Sequence, residues 1–160
     1  VPSCPGMVSR VDVVVDSNVL IDYLKERDGF ALARKLLVFS EMGDYGLWMS
    51  ASQATDLFYI MTSGGRKTLS AQVRDMIRCL RKSVGVLPIT QREVDLALDS
   101  GWEDFEDSVL HQAAVNNGAS AIVTRDARGF VRSAIPVLDP EEFFEWMERK
   151  NGIAYEEITF

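Results

Sequence analysis

The sequence has few of the features that mark secreted, membrane-spanning or disulfide-rich proteins. It contains only two cysteines, Cys4 and Cys79, without the Cys-x-x-Cys spacing of zinc or redox sites, so we expect a reducing, cytoplasmic environment. No apolar run approaches the roughly 20 residues that cross a bilayer, so no contact with a membrane is expected. The amino end lacks a basic region followed by an apolar one, which is the pattern of a secretory signal.

Positive charge is also scarce. The chain has 17 Lys and Arg against 24 Asp and Glu, for a net charge of -7. This balance argues against a protein that holds nucleic acid by its overall charge, because a polyanion would be repelled at long range. It does not exclude a nuclease, since acids committed to a metal site count in the total while basic contacts can be local.

Repeats, low-complexity segments and Pro/Gly/Ser-rich linkers are absent, so nothing divides the 160 residues. The length suits one domain with a proper core. We expect this domain to span residues 10–150. Residues 1–9 are expected to form an irregular leader, and residues 151–160 a tail that serves as an edge strand or a partner contact.

Short β-branched stretches alternate with helical patterns along the whole chain. The predicted strands are 11–15, 47–51, 84–89, 121–124 and 135–138. Helical patterns lie between them, among them 30–42 and 68–83. This alternation predicts an α/β fold with three α/β/α layers and a central, mainly parallel sheet of about five strands. Right-handed crossovers then place the carboxyl end of every strand at one edge.

Aspartates occur where this topology brings segments together. Asp16 ends the first strand and Asp126 follows the fourth, while Asp56 lies early in the helix after the second. Asp104 and Asp107 share the first turn of another helix, so their side chains share a face. Each acid also has a plainer interpretation as a helix cap or a charge favoured by the helix dipole, and one of the Asp104/Asp107 pair can cap while the other is functional.

Several carboxylates at one edge favour a particular chemistry. Like charges raise one another's pKa, and a divalent cation removes that conflict. A set of oxygen ligands without Cys or His suits Mg²⁺, which keeps water and substrate phosphate in its coordination sphere. The expected reaction is phosphodiester hydrolysis, in which a cation lowers the pKa of the attacking water.

The acidic segments also resemble a known family. Asp16-Ser17-Asn18-Val19-Leu20-Ile21-Asp22 is similar to the opening motif of the PIN-domain family, metal-dependent ribonucleases that include VapC-like toxins of toxin–antitoxin pairs. The resemblance continues in residues 50–57, 104–107 and 122–126, with Phe130 behind them, and covers about residues 11–140. The motifs are short individually, but their order and spacing are specific.

The resemblance implies an endoribonuclease that depends on Mg²⁺ or Mn²⁺ and acts on RNA. It implies an acidic quartet of Asp16, Asp56, Asp107 and Asp126. Direct metal ligands would be Asp16, Asp107 and Asp126, and supporting residues would be Asn18, Ser50, Asp104 and Thr124. An antitoxin partner and a homodimer would be typical of such a protein.

The second acidic position of the family is usually Glu, and Asp56 is one methylene shorter. A PIN-like module that binds RNA or protein without cleaving is therefore an alternative hypothesis. A second alternative hypothesis is another Mg²⁺-dependent phosphoryl enzyme, such as a receiver domain. A receiver domain would require a Lys after the last strand, and this sequence has none there. Arg125 and Arg128 flank Asp126 and are the candidate contacts to substrate phosphate.

Overall fold

The computed structural model describes residues 10–152, 154 and 155, and its strands form one parallel sheet. The strands are β1 Asp12–Val15, β2 Gly46–Ser50, β3 Val84–Leu87, β4 Ala121–Val123 and β5 Val137–Leu138. Their order across the sheet is β3-β2-β1-β4-β5, and every pairing is parallel. The predicted α/β class and the five-stranded sheet are confirmed. The expected leader, and the edge strand expected within 151–160, lie largely outside the described residues.

Seven α-helices flank the sheet in the described part of the chain. They are α1 Ser17–Leu24, α2 Phe30–Met42, α3 Ala51–Met61, α4 Ser70–Leu80, α5 Gln91–Asp99, α6 Phe105–Asn116 and α7 Pro140–Asn151. Two short 3₁₀ helices cover Lys67–Leu69 and Ala127–Phe130. None of the helices in this described part is long and apolar enough to cross a membrane.

The sheet is buried on both faces, which explains its uninterrupted apolar strands. Val13 and Val15 of β1 pack into a core with α1, α2 and α7, whereas Val14 faces a second core that contains Leu110 of α6. All three valines are fully buried. Alternate residues of one strand therefore serve opposite layers, as the β pleat requires.

Some predicted element boundaries were wrong, and the strand expected over 135–138 covers only Val137–Leu138. The helix expected over 68–83 begins as the 3₁₀ helix and ends as α4 at Leu80. The strand expected over 84–89 stops at Leu87, because Pro88 has no N–H to continue the ladder.

The strand order creates a crevice between β1 and β4. From β1 the chain proceeds to β2 on one side, while β4 pairs with β1 on the other. Open α/β sheets bind ligands at such a switch point, outside the carboxyl ends of the strands. Here the backbone N–H of Asp16 donates to the carbonyl of Val123 at 2.9 Å, so Asp16 and the residues after β4 share the crevice.

Candidate metal centre

Asp16 is held rigidly at the mouth of this crevice. It stands at the N-cap position of α1, and its Oδ2 accepts hydrogen bonds from Asn18 Nδ2 and Thr124 Oγ1, each at 2.8 Å. Burial raises the pKa of Asp16, and the hydrogen bond from Thr124 partly opposes this effect. The carboxylate is thus oriented in a place where negative charge is poorly solvated.

The loop after β4 belongs to the same hydrogen-bond network. Thr124 is fully buried, and its Oγ1 accepts from Asn18 Nδ2 at 3.0 Å and from the N–H of Asp126 at 3.1 Å. Asn18 Oδ1 in turn accepts the N–H of Arg125 at 3.2 Å. Since Thr124 Oγ1 also donates to Asp16, its three hydrogen-bonding positions are used. Two of the four predicted supports, Asn18 and Thr124, connect Asp16 to the segment that carries Asp126.

The two aspartates at the start of α6, Asp104 and Asp107, have different surroundings. Asp104 is the N-cap, and its Oδ1 accepts the N–H of Asp107 at 3.1 Å. Asp107 is half-buried and lies against Gly129, where a β-carbon would stand 2.0 Å from Asp107 Oδ2. Burial and repulsion, chiefly from Asp104 and then Asp16 and Asp126, raise the pKa of Asp107 to about 7.

Asp126 is exposed and already has a cationic partner. Arg128 Nε and Nη2 donate to its two carboxylate oxygens at 2.8 and 2.9 Å, and the Arg128 N–H donates at 3.2 Å. These bonds from Arg128 lower the pKa of Asp126. The guanidinium, predicted to meet substrate phosphate, forms an ion pair with Asp126 in this conformation.

Asp56 and Ser50 lie beside this network rather than within it. The charge of Asp56 on α3 contributes to raising the pKa of Glu106, an effect in which burial is the larger cause. Ser50 is the N-cap of α3 and exchanges capping hydrogen bonds with Gln53. Gln53 Nε2 donates to the carbonyl of Val15 at 3.0 Å, so Ser50 supports the end of β1 through Gln53.

Sequence reasoning missed two features of the site. Glu106 joins the acidic group, and the acidic run 104–107 was the signal that could have found it. The second feature is an ion pair in which Arg125 Nε lies 2.7 Å from Asp22 Oδ2. Both predicted phosphate contacts, Arg125 and Arg128, therefore face carboxylates of their own chain.

A cleft of about 590 Å³ opens beside these groups. Its lining includes Asp104, Asp107, Asp126 and Arg128, together with Trp102. Within the described residues, no three acidic, His or Cys side chains already stand close enough together to ligate one ion.

The donor chemistry nevertheless fits a divalent cation. The donors are carboxylate oxygens, and the ion pairs of the described residues reach Asp126 but not Asp16 or Asp107. Burial first, and then repulsion from neighbouring carboxylates, raises the pKa of Asp107, and a hard cation relieves that repulsion.

The raised pKa of Asp107 predicts how stability changes with pH. Its folded value, about 7, exceeds the ordinary 3.8, so between these pH values the folded chain binds more protons and its stability falls as pH rises. Asp107→Asn removes this penalty. We expect the variant to gain about 1–2 kcal/mol over the wild type near pH 7.5, after discounting the shift for solvent screening of a partly exposed group.

Urea unfolding of both proteins between about pH 4.5 and about pH 7.5, without divalent metal, measures this difference. We expect the gap between variant and wild type to widen steadily with pH. A gap that stays constant over that range would contradict the assigned pKa.

Comparisons with known proteins agree with this geometry. The sequence model of the PIN domain matches residues 12–128. A search of curated protein sequences finds no match. Among solved structures, VapBC2 from Rickettsia felis bound to a DNA fragment from its promoter has a TM-score of 0.62 at 14% identity, covering 81% of this chain and 98% of that one.

Two further structures are similar. VapBC-1 from nontypeable Haemophilus influenzae has a TM-score of 0.62 at 17% identity and covers 82% of this chain and 99% of its own. The sarcin–ricin loop cleaving toxin VapC20 of Mycobacterium tuberculosis has a TM-score of 0.57 at 16% identity, covering 75% of this chain and 94% of that one. At such identities these likenesses show the fold. Because the family model matches well over half of the sequence, the chain belongs to the PIN-domain family.

Proposed function

We propose that this protein is a cytoplasmic endoribonuclease that depends on Mg²⁺ or Mn²⁺ and acts as the toxin of a toxin–antitoxin pair. Asp16, Asp107 and Asp126 would hold the metal, and Asp56 would complete the pocket together with Glu106. A divalent cation, when bound, lowers the pKa of a water and stabilises negative charge on phosphoryl oxygens. The remaining work falls to side chains of this chain.

One observation supports the proposal more than any other. Asp16 follows β1 and Asp107 lies in the first turn of α6, yet both carboxyls have a raised pKa: burial is the largest cause for each, and repulsion from Asp104 adds to it. Neither forms an ion pair with a described residue. Carboxyls with a perturbed pKa at the switch point of a parallel sheet are typical of functional sites.

The ion pair between Arg128 and Asp126 is compatible with this function. Arg128 has 91% and Asp126 50% of its side chain exposed, and exposed pairs of this kind contribute little to stability. Arg128 can therefore exchange Asp126 for a substrate phosphate at small cost. Its planar guanidinium suits either oxyanion.

The similar structures support the proposed partners. A similar structure from Klebsiella pneumoniae, with a TM-score of 0.58 at 19% identity, is a toxin–antitoxin complex, so we propose that this chain also binds an antitoxin. A homodimer is proposed with it, as typical of VapC-like proteins. VapC20 cleaves the sarcin–ricin loop, which makes a structured RNA a reasonable first substrate to test.

A second function, a PIN-like module that binds RNA or protein without cleaving it, is favoured by a different observation. In the described part of the chain no three carboxylates stand ready to ligate one ion. The shorter Asp56 at the usual Glu position points the same way. The two functions differ in whether the protein binds Mn²⁺ and breaks phosphodiester bonds.

Calorimetric titration with Mn²⁺ and incubation with total RNA test the proposal together. We expect Mn²⁺ binding at neutral pH, RNA cleavage that EDTA abolishes, and recovery when Mn²⁺ is added in excess. Cleavage that persists in EDTA would contradict the role of the metal. Binding of RNA without Mn²⁺ binding or cleavage would instead support the non-enzymatic module.

A further inference from the structure

An acidic side chain outside the proposed quartet is buried next to the loop that carries Asp126. Asp22, in α1, has 1% of its side chain exposed and forms an ion pair with Arg125, whose Nε lies 2.7 Å from Asp22 Oδ2. Arg125 itself has 45% of its side chain exposed. Burying a carboxylate is costly, and such pairs are weak contributors to stability compared with apolar packing. The position of this pair therefore needs another explanation.

Helix α1 holds residue 125 at two points. Asn18 and Asp22 are four positions apart and so lie on one face of the helix. Asn18 Oδ1 accepts the backbone N–H of Arg125 at 3.2 Å, and the guanidinium of Arg125 forms an ion pair with Asp22 without the alignment of a hydrogen bond. The residues on either side are Thr124, which donates to Asp16, and Asp126. Because α1 contacts both the backbone and the side chain of Arg125, it fixes the segment that connects Thr124 to Asp126 in the proposed metal centre.

The turn before α2 leaves room for the Asp22 carboxylate. A β-carbon at Gly29 would stand 2.1 Å from Asp22 Oδ2. The backbone of Gly29, with φ -81° and ψ 2°, is open to any residue, so the lack of a side chain matters for space alone. A larger residue at this position would push the carboxylate away from Arg125.

We propose that Asp22 is a positioning residue: its ion pair with Arg125 fixes the segment 124–126 and thereby sets the affinity of the site for a divalent cation. This rests on the proposed function. It also assigns Arg125 a structural partner inside the protein instead of a phosphate of the substrate. Residues that orient metal ligands typically affect metal affinity by 10–100-fold.

The test is calorimetric Mn²⁺ titration of the full chain carrying Asp22→Asn, which keeps the shape of the side chain and removes its charge. We expect the Kd for Mn²⁺ to rise by about 10–100-fold. The matched control is Asp75→Asn, which removes an acid paired with Arg78 on the exposed surface of α4. Its Kd should stay within about twofold of the wild type, as expected for an exposed pair.

The double variant Asp22→Asn/Arg125→Gln keeps the test decisive if the single variant folds poorly, since it leaves no unpaired charge. We expect it to fold and to bind Mn²⁺ as weakly as Asp22→Asn, because both break the same ion pair. In assays of RNA cleavage at limiting Mn²⁺, kcat should fall in both the single and the double variant, while their KM for RNA changes little.

Three results separate the possibilities. Folded Asp22→Asn with wild-type Mn²⁺ affinity overturns the inference and leaves the proposed function standing. A rise in KM for RNA in Arg125→Gln alone also overturns it, since that result assigns Arg125 to the substrate. If the wild type itself binds no Mn²⁺, the proposed function fails and the inference fails with it.

Discussion

Asp16→Asn is expected to reduce metal-dependent RNA cleavage by about 100-fold or more while the protein remains folded. Losing one preordered electrostatic contact to a transition state commonly has an effect of this size. Asp16 is the acid most firmly fixed by the fold, through Asn18 and Thr124. The Asn side chain keeps one oxygen that accepts these hydrogen bonds. The substitution also removes a buried charge, so the free energy of unfolding at neutral pH should not fall sharply.

Cleavage assays at saturating Mn²⁺ and urea unfolding of the same preparations check this prediction. Asp12→Asn is a suitable control, since Asp12 is at the other end of β1, where its Oδ1 accepts the indole N–H of Trp48. Asp12→Asn should retain cleavage. Cleavage by folded Asp16→Asn at the wild-type rate would remove Asp16 from the site.

Gly129→Ala should weaken Mn²⁺ binding by at least about tenfold, although position 129 carries no ligand. The added methyl carbon would stand 2.0 Å from Asp107 Oδ2 and 3.0 Å from its carboxyl carbon, so either Asp107 or the 3₁₀ helix Ala127–Phe130 must move. Real β-carbons do not approach so closely, and a displaced ligand loses metal affinity. Cleavage at limiting Mn²⁺ should fall in parallel.

Val131→Ala provides the matched control for this prediction. It lies two residues further along the same segment and has 81% of its surface exposed, so its Mn²⁺ affinity and stability should remain close to the wild type. The assignment of Asp107 to the site would be contradicted if Gly129→Ala bound Mn²⁺ as tightly as Val131→Ala.

The fold could be predicted from the sequence because its signals are local and repeated. Runs such as Val13–Val15 indicate strands buried on both faces, and the alternation with helices requires a parallel sheet. Asp16 could be placed at the edge because it directly follows such a run. The capping role of Asp104 was one of the two interpretations left open, and the structure places Asp104 at the N-cap of α6.

The remaining parts of the site depend on contacts between distant segments. Nothing near Asp22 in the sequence indicates that Arg125 is its partner, because the pairing arises only when β1 and β4 lie side by side. The pairing of Arg128 with Asp126 is local but depends on a side-chain rotamer. The sequence contains Glu106 in an acidic run, but its interaction with Asp56 could not be predicted, since that interaction connects α6 to α3.

A crystal soaked in Mn²⁺, with anomalous diffraction recorded at the manganese edge, tests the central claim most directly. The account predicts an anomalous peak between Asp16 and Asp107, with Asp126 turned towards it and Arg128 released from that carboxylate. A fully soaked crystal with no peak there, with Arg128 still bound to Asp126, would contradict the account.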